Sequence, residues 1–167
     1  VNFYGMTQTN GQTLAFYQRG SNTNGIDTSI YCNEMWFKSS CESALINLLL
    51  GRERLPANDT GVAFVSNTVT EVCLRAVANG AFMNKTATAN DVRTIAELIN
   101  TVGGNYEDAV RIASDIGVNG YSVFATLKQK ENIDTVMGDH SEYVVVYYVF
   151  YGTADSIRFI KGNDVLI

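Results

Sequence analysis

Val144-Val145-Val146-Tyr147-Tyr148-Val149-Phe150 is apolar at every position. A strand with one wet face would alternate, so this run predicts a central strand covered on both faces. Its neighbours extend the sheet. A turn at Gly152-Thr153 leads into Ser156 to Lys161, a return strand of the same hairpin. Tyr121 to Leu127, just after Gly120, predicts another strand, and a polar segment from Lys128 to Asp139 separates it from the apolar run. Near the N-terminus, Thr13 to Gln18 follows the turn signal Asn10-Gly11 and predicts one short strand more.

Ahead of Gly120 the apolar period is helical. Thr88-Ala89-Asn90-Asp91 opens a segment with Val92, Ile95, Ala96, Ile99 and Val102 on one face, and Gly103-Gly104 stops it. Tyr106, Ala109, Val110, Ala113 and Ile116 repeat the pattern up to Gly117. Thr68-Val69-Thr70-Glu71 has the form of a capping box and predicts a helix through Val72, Cys73, Ala76 and Val77 to Asn79-Gly80. Lys38-Ser39-Ser40 runs into Cys41 and on to Leu50, predicting a helix that opens at Cys41 and is apolar on more than one face. Gly51 to Arg54 ends it, and Pro56 falls in the polar loop beyond. Helices first and an antiparallel sheet last make an α+β domain. It is expected to be a single domain over 1–167, with its helical half at about 30–117 and its sheet half at about 118–167.

The 167 residues are 46% hydrophobic and 17% charged, a globular balance with enough chain for a real core. A net charge of -5 argues against nucleic acid or an anionic membrane as the main partner and favours basic peptides. Cys32, Cys41 and Cys73 are odd in number and lack framework spacing, which points to a reducing compartment. With one histidine and no Cys-x-x-Cys pair, no metal site is expected. No Gly-rich phosphate loop is present, and no apolar run reaches the ~18 residues of a membrane span. A chain that opens on Val1 suggests a piece of something longer.

Two residues could carry chemistry together. A thiol in the first turn of a helix feels the positive end of the helix dipole, which favours the thiolate, and Cys41 is placed there by the predicted helix. His140, the sole histidine, stands just before the apolar strand and is the candidate base. Such a base needs a third group to orient its ring. If the hairpin turns about Gly152, Asp164 falls opposite His140, with Asn163 beside it as the alternative. Cys73, inside an apolar helical stripe, reads as a core residue.

A cysteine opening a helix and a distant histidine opening a strand resemble papain-like cysteine peptidases. Asn10-Gly11, then Phe16-Tyr17-Gln18-Arg19 and an Asn-rich loop, is similar to the start of the leader proteinases of aphthoviruses and erboviruses, which are picornaviruses. The spacing from Cys41 to His140 and the Gly138-Asp139-His140 stretch are similar too. Glu42 departs from the family, which has an aromatic residue after the cysteine, and the family's oxyanion asparagine lies nearer the cysteine than Asn33 does here. The resemblance implies a papain-like fold and a cysteine endopeptidase with no cofactor, acting in the host cytoplasm. It would release itself from the viral polyprotein and cleave the host translation initiation scaffold factor, shutting off host translation. Removal of ubiquitin-like modifiers is a further implied activity. Cys41 would be the nucleophile, His140 the acid and base, Asp164 or Asn163 the orienting group, and Asn33 the oxyanion side chain. The alternatives are a leader protein that only binds host factors, or a cellular papain-fold amidase.

Overall fold

The computed structural model describes the backbone of residues 3–9, 12–19, 28–130, 142–153 and 157–162, and the side chains of 30–129 and 143–153. The chain divides into two compact units, Val1–Ser39 and Ser40–Ile167. In the first, β1 (Phe3–Thr9) and β2 (Gln12–Arg19) pair antiparallel, with Thr9 opposite Gln12. The residues between them are Asn10-Gly11, the turn signal of the sequence, and β1 is a strand that composition did not suggest. The helix α1 (Thr28–Leu50) begins in this unit and ends in the next.

The second unit is built on a three-stranded antiparallel sheet in the order β3-β4-β5, where β3 is Tyr121–Lys130, β4 is Glu142–Gly152 and β5 is Ile157–Gly162. The apolar run is therefore the central strand. Register explains why it is apolar at every position. Phe124 lies opposite Tyr148, and both, with Val146 and Phe150, pack against the helices α3 (Ala89–Asn100) and α4 (Tyr106–Asn119). Residues of the opposite parity, Leu127, Tyr143 and Val145, instead face Gly61 and Val65 of α2 (Asp59–Ala78) and Leu49 of α1. Tyr151, on that second face, stacks on Phe82 with ring centroids 4.2 Å apart. Helices thus cover β4 on both sides, and Tyr147 to Tyr151 are all buried.

Each helix turns in one apolar stripe. On α2 it is Val65, Val69, Val72, Cys73 and Ala76, all fully buried, at helical spacing. On α3 it is Ile95 and Ile99, and on α4 it is Ala109, Ile112, Ala113 and Ile116. Tyr106 and Val110, expected to face inward, are 65% and 47% exposed. The inward face of α4 follows Ala109 by three, four and seven residues, and Val110 lies off that line.

Helix ends are closed by side chains. Thr88 and Asp91 form a capping box on α3, as their spacing predicts, and Asn105 and Asp108 form another on α4. The Asn105 amide, and then Arg111, hold the Asp108 carboxyl below its ordinary range. Gly120 ends α4 in a left-handed conformation at φ 81°, with its amide donating to the Ile116 carbonyl.

Two helix starts differ from expectation. Thr68-Val69-Thr70-Glu71 does not open a helix, because α2 starts at Asp59 behind the N-cap Asn58, whose side chain accepts from the Thr60 and Gly61 amides. The Thr68 hydroxyl instead donates to the Phe64 carbonyl, 2.9 Å away, one turn back within the helix. Likewise α1 starts at Thr28 and runs straight through Ser39-Ser40. Helices before, sheet after, with a hairpin ahead of both, is an α+β arrangement.

The far end of β4 ties distant segments together. The Gly152 amide donates to the Gly120 carbonyl at 3.0 Å, and the Met83 amide donates to the Gly152 carbonyl at 2.9 Å. A β-carbon at 152 would run into the Met83 carbonyl oxygen, so only glycine fits that approach. Gly152 pairs with Ile157, so the hairpin reverses beyond Gly152 and not about it. The expected pairing of Asp164 with His140 assumed a turn about Gly152, and both residues lie outside the described residues.

Candidate functional site

Cys41 lies well inside α1, not in a first turn, because the helix starts at Thr28. An amide at such a position serves the carbonyl four residues before it, so it offers no free N–H to an oxyanion and little of the terminal helix dipole. The side chain is 3% exposed. It lies one turn from Leu45, and the two belong to the buried stripe of α1. Cys73, on α2, is fully buried. Burial first, and the neighbouring Cys41 second, push its thiol far above its ordinary 9.0, so it stays protonated at neutral pH. The two cysteines therefore share the interior between α1 and α2. Cys32 and Asn33 are exposed on α1. His140, Asn163 and Asp164 lie outside the described residues.

An apolar hollow among the described residues sits apart from any such chemistry. Leu49, Leu55, Pro56, Ala57, Val65 and Val145 help line a cavity of about 200 Å³ at the start of α2. Arg52 lies over the Phe64 ring at 3.8 Å from its centroid and holds the segment after α1 against α2. No group of three or more His, Cys, Asp and Glu among the described residues could hold a metal ion. No described helix is long and apolar enough to cross a membrane.

What the second unit does offer is a packed sheet between helix layers, with several large apolar side chains left outside. Leu50 is 80% exposed, Val118 69% and Leu74 55%. A family model described as E217 tail sheath protein gp31-like, C-terminal domain, matches residues 28–165. The chain belongs to that family. The match opens on the first residue of α1 and extends past β5, so every helix and the whole three-stranded sheet fall inside it. No curated protein matches the chain significantly.

Membership in a tail sheath family overturns the picornavirus leader proteinase resemblance. The resemblance rested on short N-terminal motifs that lie before residue 28, on a Cys/His spacing and on the Gly138-Asp139-His140 stretch. The cysteine endopeptidase, its self-release from a polyprotein, its cleavage of the host translation scaffold factor and its action on ubiquitin-like modifiers go with it. So do the alternatives of a host-factor binder and a cellular amidase, because this is a phage structural family. Sequence reasoning also misdrew the inward face of α4. Ala109, Ile112, Ala113 and Ile116 make the buried line, and Tyr106 and Val110 lie outside it.

Proposed function

We propose that this chain is a structural domain of a phage tail sheath and acts by assembling with other phage structural proteins, further copies of itself included. The family match over residues 28–165 carries the reading. A covered central strand and capped helices supply a rigid unit, and exposed Leu50, Leu74 and Val118 are the kind of side chain that assembly covers. Catalysis has no part in it. Nor does a papain-like fold, whose support was a nucleophile at a helix start, whereas Cys41 lies inside α1. The host cytoplasm is the proposed place of synthesis.

Sedimentation of the purified chain over a wide concentration range, with electron microscopy of the heavy fraction, tests the proposal. Ordered multi-subunit particles are expected, and Cys41→Ala should form them as the parent does. A chain that stays monomeric at every concentration, alone and mixed with phage tail components, would overturn it.

A further inference from the structure

We draw no further inference here: the strongest candidate, the apolar cavity of about 200 Å³ between the end of α1, the start of α2 and the Leu127–Val145 edge of the sheet, carries nothing because nothing in the structure shows what covers it.

Discussion

A methyl group on Gly152 would overlap the Met83 carbonyl oxygen and stand 2.9 Å from the Lys85 Cβ, whereas one on Gly117 of α4 would meet nothing within 4 Å. The same substitution should thus have opposite signs at the two sites. Gly152→Ala is expected to cost about 1–3 kcal/mol by forcing the backbone segments apart. Gly117→Ala should gain roughly 0.5–1 kcal/mol from helix propensity. Urea midpoints of the two variants against the parent decide it. The thiols give a second residue-scale test. Cys32 is exposed while Cys41 and Cys73 are buried, so a mild alkylating reagent near neutral pH should label Cys32 first, and the other two only on unfolding. Mass mapping of the labelled peptides reads the order.

The Cys73 thiol also makes stability depend on pH. Its folded-state value is raised, so the folded state holds its proton while the unfolded state releases it. The contribution is fully present below the unfolded value near 9.0 and is lost as pH rises above it, by up to about 1.4 kcal/mol per pH unit. Urea titrations between pH 7 and 10 should show a steeper decline for the parent than for Cys73→Ala. Equal slopes would mean that the thiol ionises as easily in the fold as out of it.

At the scale of elements, caps carry a measurable share of helix stability. Thr88→Ala removes the hydroxyl that accepts from the Asp91 amide, and Asn105→Ala removes the corresponding acceptor for Asp108. Each should cost about 1 kcal/mol, read from thermal or urea unfolding. These caps also show what made some elements legible. Thr88 to Asp91 announces α3 because cap, periodic stripe and glycine stop agree, and β4 is legible because a two-sided strand has no polar position to hide it. Where local chemistry has two uses, the reading fails. Thr68 looks like a cap, yet in an established helix its hydroxyl bonds one turn back, and the true start depends on Asn58. Ser39-Ser40 looks like a boundary before Cys41, yet α1 continues through it, and serine in a long helix costs only tenths of a kcal/mol, too little to end it. The candidate site inherited that second error, since a thiol's reactivity was inferred from a helix end that is not there.

For the molecule as a whole, what counts is that β4 is covered on both faces. Phe150 is fully buried against α3 and α4, and Leu50 is 80% exposed. Phe150→Ala should therefore cost about 3–5 kcal/mol, a large part of a domain's total stability. Leu50→Ala should change it by no more than about 0.5 kcal/mol. Circular dichroism melts of the two variants separate these outcomes.

The bond from the Met83 amide to the Gly152 carbonyl has a kinetic consequence. The β3–β4 hairpin and the α3–α4 pair close over short stretches of chain, but Met83 and Gly152 meet only after everything between them has been laid down. Contacts of that kind are expected to be absent from the transition state, and such contacts act on the escape rate and not on the rate of arrival. Stopped-flow measurements on Gly152→Ala should show unfolding accelerated roughly in proportion to the lost stability, with the refolding rate nearly unchanged. The glycine at the end of the central strand would then act as the latch that keeps the folded unit closed.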